Sequence, residues 1–151
     1  MSLKGKKQAF KVARGEDGET TLEDYEITLD EGMVVLDCIH RIQHEKEPDM
    51  AVRWNCKAGK CGSCSAEING RPRLMCMTRM SDVVAETPEG QPIEIRPMKA
   101  FPHIKDLVTD VQWNYDIAQK IAPINGPEEM NWEFNQMEAD RVQHFRECIE
   151  C

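Results

Sequence analysis

The chain has 151 residues, a formal net charge of −8, 40% hydrophobic and 30% charged residues, and a mean hydropathy of −0.58. This balance excludes a disordered polypeptide, and no apolar run approaches the ~20 residues that span a bilayer. The acidic pI of ≈ 5.0 argues against nucleic acid as a partner. The basic start (Lys4, Lys6, Lys7, Lys11, Arg14) lacks the apolar stretch of a secretory signal, so any membrane contact is expected to be peripheral.

In chain order, Gln8–Arg14 and Glu23–Leu29 alternate as strands, with Tyr25, Ile27 and Leu29 on one face, separated by a turn-like stretch at Gly15–Thr20. Eight acids and no Lys or Arg fall between Gly15 and Gly32, which reads as a solvated hairpin face. Val34–Lys46 predicts a helix whose Val35, Ile39 and Ile42 cover a core-facing stripe, ended by Pro48. A short extended run, Ala51–Trp54, leads into a cysteine loop. Ser65–Ile68 and Arg71–Met75 flank Asn69-Gly70, a strong hairpin signal because both residues tolerate positive φ. Ile93–Pro97 supplies a last strand. The expected class is α+β, a sheet with one helix across it. A boundary is expected near residue 100, giving domains 1–100 and 101–151. Beyond it, Ile104, Leu107, Val108, Val111, Tyr115, Ala118 and Ile121 recur at helical spacing over 103–121. Met137–Cys148 resumes that pattern after Pro123, Gly126 and Pro127.

The seven cysteines are unevenly placed, and with no export signal metal binding outranks disulfides. Cys56, Cys61, Cys64 and Cys76 follow the C-x4-C-x2-C…C order of a plant-type [2Fe–2S] cluster. Three ligands within one short loop require it to wrap tightly, while the Asn69-Gly70 hairpin can return Cys76 as the fourth. Gly59 and Gly62 suit such a wrap, since glycine reaches φ values closed to other residues and lets the backbone approach sulfide. Backbone N–H groups and the Ser63 hydroxyl are candidate donors to sulfur. The alternative is a structural zinc site, whose usual layout is two separated C-x2–4-C pairs.

Charge supports the cluster. Arg53–Met80 holds Arg53, Lys57, Lys60, Arg71, Arg73 and Arg79 against Glu67 alone, a local +5 in an acidic chain. A [2Fe–2S] cluster with four thiolates is anionic and becomes more so on reduction. The expected potential therefore lies well above the ~−400 mV of plant-type ferredoxins.

Arg53-Trp-Asn-Cys56-Lys-Ala-Gly-Lys-Cys61-Gly-Ser-Cys64-Ser-Ala-Glu-Ile-Asn-Gly70, with Cys76, resembles the iron–sulfur subunit of succinate dehydrogenase and fumarate reductase. Met33-Val-Val-Leu-Asp37 and Phe101-Pro-His-Ile-Lys-Asp-Leu-Val108 are similar to the same family, so the resemblance covers nearly the whole chain. It implies a ferredoxin-like β-grasp over 1–100, with Cys56, Cys61, Cys64 and Cys76 ligating the [2Fe–2S] cluster nearest the flavin. The family's third position is sometimes Asp; here it is Cys64. The resemblance further implies the start of an α-helical ferredoxin domain over 101–151, with [4Fe–4S] and [3Fe–4S] clusters in the full-length subunit. Cys148 and Cys151 are then the first two ligands of a partial [4Fe–4S] site, in a truncated copy of a longer subunit. A frayed, idle terminus or a CxxC redox pair are the alternatives for these two cysteines.

The implied partners are a flavoprotein subunit carrying FAD, where the dicarboxylate chemistry occurs, and membrane anchor subunits leading to quinone. The implied location is peripheral, on the cytoplasmic side of the bacterial inner membrane. No catalytic residue is expected in this chain. Rival readings are a stand-alone soluble ferredoxin-like carrier, the iron–sulfur domain of a molybdenum hydroxylase, and a zinc-binding interaction module.

Among the other residues, Cys38 is read as a small core hydrophobe. His40 and His44, at i, i+4, are read as a solvated helix edge rather than a metal site, and nothing marks His103 or His144 as a base. Met75, Met77 and Met80 are expected to pack against the cluster domain or a partner. Trp113, Tyr115, Trp132 and Phe134 are expected to be buried. Residues 128–151 carry a net −5, read as a solvated face.

Overall fold

A computed structural model describes residues 2–121 and 136–142. Strand β1 (Lys7–Glu16) turns at Asp17-Gly18 into β2 (Glu19–Thr28), antiparallel to it along its whole length. The turn-like stretch thus narrows to two residues, both at positive φ (51° and 90°), a geometry that matches the right-handed twist of the flanking strands. Helix α1 (Val35–Glu45) crosses next. Strands β3 (Ser65–Ile68) and β4 (Arg71–Leu74) form the hairpin on Asn69-Gly70, again with both turn residues at positive φ. A short helix α2 (Met80–Glu86) precedes β5 (Ile93–Arg96). Then come β6 (His103–Lys105), β7 (Val108–Thr109), α3 (Gln112–Ala118) and α4 (Gln136–Val142).

The sheet is seven-stranded, in the order β4-β3-β5-β1-β6-β7 with β2 on the other edge of β1. Its centre is the parallel β1–β5 pair, with Phe10, Lys11 and Val12 opposite Ile93, Glu94 and Ile95. This is the expected β-grasp. Alternation puts Phe10, Val12, Ile27, Leu29, Ile68, Ile93 and Ile95 on the covered face, and α1 lays Val35, Leu36, Cys38, Ile39 and Ile42 over them, all buried. The stripe forms because apolar residues spaced by three and four share one side of a helix. The Asp37 carboxylate accepts from the Val34 N–H at 3.0 Å and satisfies one orphan donor at the helix start.

Three expectations are corrected. Residues 103–109 are not helical: they form the β6–β7 hairpin, and Lys105 pairs with Glu16, so the sheet runs on to Thr109. Asp106 at the turn has φ 50°, a conformation that a helix cannot contain. Helical structure starts only at Gln112. Trp113 and Tyr115, expected in the core, are exposed, because α3 buries none of its residues among those described. His40, read as a solvated edge, packs its ring against Trp54. Helix α2 was not foreseen from the sequence, although Met80 and Val83 are its buried i, i+3 pair. Among the described residues no helix is long and apolar enough to cross a membrane. Trp132, Phe134, His144, Cys148 and Cys151 lie outside the described residues.

Candidate metal centre

The cysteine loop is held from three sides. Its entry, Ala51–Trp54, is stitched to the β6–β7 hairpin: Leu107 N–H donates to the Ala51 carbonyl at 3.2 Å, and Arg53 Nη1 donates to the Thr109 carbonyl at 2.9 Å. Its exit is braced at β3, where Ser65 donates through both N–H (3.0 Å) and Oγ (2.7 Å) to the Gly62 carbonyl. The bracing hydroxyl is therefore that of Ser65. The fourth cysteine arrives on a turn after β4, in which Thr78 Oγ1 donates to the Leu74 carbonyl at 2.8 Å. That turn is tied to the start of α1, whose otherwise unsatisfied Val35 and Leu36 N–H groups donate to the Thr78 (2.9 Å) and Met75 (3.1 Å) carbonyls. Met75 N–H donates to the Cys64 carbonyl at 3.1 Å, bringing Cys76 beside Cys64.

The four thiols lie on one loop and the turn that faces it. Cys56 Sγ accepts from the N–H groups of Ala58 and Lys60, both at 3.3 Å. Cys76 N–H donates to Cys64 Sγ at 3.5 Å. Cys56 and Cys61 are half-buried, Cys64 and Cys76 buried. The Ala58 and Lys60 N–H groups, then the Cys61 thiol, draw Cys56 down to about 6, toward the thiolate that ligates metal. Burial pushes Cys64 up to about 11, against the pull of the Cys76 N–H. Cys38, off the loop and fully buried, is pushed up to about 12 by burial and fills the core as expected.

Among the described residues, no group of three or more His, Cys, Asp and Glu side chains is arranged around one metal ion. The Cys56–Cys64 loop with its distant fourth cysteine, and backbone N–H groups aimed at sulfur, fits a [2Fe–2S] cluster better than zinc, whose usual layout is two separated C-x2–4-C pairs. Gly59 and Gly62 have φ 66° and 70°, and Lys57 between Cys56 and Gly59 has φ 51°. A Cβ on Gly59 would lie 2.8 Å from Met77 Cγ, so the space over this glycine is filled by a methionine side chain. Met75 and Met80 are in the core, while Met77 is exposed on the loop.

Beside Cys56, the half-exposed Trp54 meets two side chains. His40 meets its ring edge-on at 5.0 Å between centroids, and Lys57 Nζ lies 4.7 Å from the ring centre. Burial, then Lys57, lowers the His40 pKa, and its Nε2 is buried without a hydrogen-bond partner. Arg73 pairs with Glu86 of α2 at 2.7 Å, which neutralises part of the basic stretch, while Glu67, the one acid within it, pairs with Lys99 outside it at 3.1 Å and offsets none of its charge. Lys57 and Lys60 carry the positive charge of the loop itself. A cleft of ≈ 370 Å³ lies between the loop (Cys61, Gly62, Ser63) and the β7–α3 segment (Thr109, Gln112, Tyr115).

Residues 8–116 match the family described as 2Fe-2S iron-sulfur cluster binding domain. The chain belongs to this family. Within it, the chain is 31% identical over 140 residues to the fumarate reductase iron-sulfur subunit of Mycobacterium tuberculosis, covering 87% of this chain and 53% of that one. It is 32% identical over 137 residues to a mitochondrial succinate dehydrogenase iron-sulfur subunit of Oryza sativa, covering 86% and 47%. A chain of the Mycobacterium smegmatis Sdh1 complex in its apo form superposes with a TM-score of 0.81 at 49% identity, covering 96% of this chain and 60% of that one. The chain thus spans about half the length of the curated relatives it matches. The resemblance carried by the Arg53–Gly70 text is borne out at this level.

Proposed function

We propose that this chain is the [2Fe–2S] part of an iron–sulfur electron-transfer subunit of succinate dehydrogenase or fumarate reductase, working between the FAD of a flavoprotein subunit and quinone. The observation that carries the reading is the cysteine loop on a β-grasp, with backbone N–H groups at the Cys56 and Cys64 sulfurs, in a chain whose relatives bear those names. Cys56 and Cys61 would hold one iron, and Cys64 with Cys76 the other. A cluster bound there supplies reversible one-electron transfer, which is what linking a two-electron flavin to a chain of carriers requires.

This chain's own residues do the rest. The Ala58, Lys60 and Cys76 N–H groups donate to sulfur and favour the more anionic state, as do Lys57 and Lys60. Cys64, Cys76 and Met75 exclude water from one side. The exposed Trp54 and Met77 flank the half-buried Cys56–Cys61 side, which is therefore the side offered to a redox partner. Dicarboxylate chemistry belongs to the flavoprotein partner in this reading. Residues beyond Thr109 begin a helical domain for [4Fe–4S] and [3Fe–4S] clusters, with Cys148 and Cys151 as two ligands. Membrane anchors would hold the complex on the cytoplasmic face of a bacterial inner membrane.

The test is EPR during redox titration of the complex isolated from its native membrane, with iron and sulfide counted per chain. A [2Fe–2S] signal with a midpoint well above ~−400 mV, two further cluster signals and a flavin-bearing partner are expected. A single [2Fe–2S] signal from a protein without such a partner overturns the reading in favour of a free carrier.

A further inference from the structure

Asp106 is 1% exposed, and its carboxylate is shared by three segments far apart in sequence. Oδ1 accepts from Arg14 Nε and Gly15 N–H, both at 3.0 Å, at the end of β1. Oδ2 accepts from Ala51 N–H at 2.8 Å, at the entry of the cysteine loop. Asp106 itself forms the β6–β7 turn, the last sheet element before α3. Arg14 continues the junction to Glu47 (2.8 Å) and Asp49 (3.0 Å), in the connector between α1 and the loop. His103 closes it on the other side. Its Nδ1 accepts from Gly18 N–H at 3.1 Å, so Nε2 carries the proton facing the Asp106 carbonyl at 3.0 Å. Two requirements converge on this position. The φ of 50° favours Asp, Asn or Gly, and two backbone donors plus a guanidinium require an anion with two acceptor oxygens.

We propose that Asp106 is a positioning residue that fixes the [2Fe–2S] loop relative to the segment leading into the second half of the subunit, and thereby fixes the separation between this cluster and the next. The inference rests on the electron-transfer reading above. The loop entry and the β7–α3 segment, on opposite sides of the ≈ 370 Å³ cleft, are joined by two side-chain links, Asp106 to Ala51 and Arg53 to Thr109, beside the Leu107–Ala51 backbone bond. Neither link touches a cysteine, so breaking one shifts the loop against the hairpin while leaving the cluster ligands in place.

Asp106→Asn tests this selectively. Asn keeps the turn conformation, but its amide must face a donor. Turning it toward the single Ala51 N–H leaves the oxygen on Arg14 and Gly15, so the loop link is the one that breaks. The readout is the microwave power saturation of the [2Fe–2S] EPR signal in the full-length subunit within its complex. A nearby paramagnetic cluster speeds relaxation steeply as the separation shrinks. Arg53→Met breaks the second link at an exposed position and covers the case in which Asp106→Asn does not fold; Arg53→Lys can still donate to Thr109.

Expected are two irons and two sulfides at the [2Fe–2S] site in every variant, with a severalfold fall in half-saturation power for Asp106→Asn and Arg53→Met. Arg53→Lys should restore the wild-type value. Variants that retain all clusters and saturate as wild type does, whatever their melting temperature, overturn the inference. A wild-type complex with no relaxation enhancement from a second cluster overturns the electron-transfer reading, and this inference with it.

Discussion

The sheet with α1 and the loop from Ala51 to Cys64 are held by different forces. In the first, Phe10, Val12, Ile27, Leu29, Leu36, Ile39, Ile42, Ile93 and Ile95 are each at most 1% exposed, and burial of apolar surface supplies the stability. In the second, Trp54 is half-exposed, Cys56 and Cys61 are half-buried, and order comes from hydrogen bonds at the loop's two ends and from residues at positive φ. A region built this way lies at the low-stability end of a fold until a ligand adds its binding energy. The sheet is expected to fold as a frame without metal, which then completes the loop.

Breaking the metal site should separate the two regions most sharply. Cys76→Ser is expected to abolish the cluster's visible absorption and its iron, while the far-UV signature of the sheet persists. If circular dichroism shows the whole chain unfolded, the frame depends on the cluster. Next in size, Ile42→Ala removes a fully buried side chain from α1 and should cost about 2–5 kcal/mol, read by denaturant unfolding. At temperatures below its lowered midpoint the cluster spectrum should be unchanged.

Gly59→Ala acts on the loop alone. The added methyl meets Met77 Cγ at 2.8 Å, and a left-handed backbone adds about 1–2 kcal/mol for any residue with a Cβ. Cluster loss over time should accelerate, and Met77→Ala should recover only part of it, because the backbone strain stays. Full recovery would show that the collision, and not φ, controls the loop.

The smallest effect expected is one of pH, at the junction between the regions. Burial alone would raise the Asp106 pKa. The Ala51 and Gly15 N–H groups, then Arg14, more than offset it and hold the carboxyl below its ordinary value of 3.8. A carboxylate depressed in the folded state contributes stability that is present above its unfolded pKa and lost as pH falls through its folded one. Thermal melts should therefore show a destabilisation below about pH 3.8 that is weaker in Asp106→Asn. An identical acid limb in both proteins would remove Asp106 from that transition.

Local chemistry carried much of this protein in plain view. Strand alternation at Tyr25, Ile27 and Leu29, the α1 stripe and the Asn69-Gly70 turn each depend on neighbours within a few residues, and each is present as read. What failed did so where distant groups compete with local pattern. Ile104, Leu107 and Val108 have helical spacing, but the Asp106 carboxylate gains two backbone donors and Arg14 only if the chain turns there, and that turn makes a hairpin. His40 left the solvated edge because Trp54, from the loop, packs on it. Met77 over Gly59, Ser65 bracing Gly62 and the pairing of Arg73 with Glu86 likewise had no signal in the sequence. Spacing along a chain determines which residues share a face or a turn; which faces meet, and which charges are cancelled, is decided only when segments far apart in sequence are packed together.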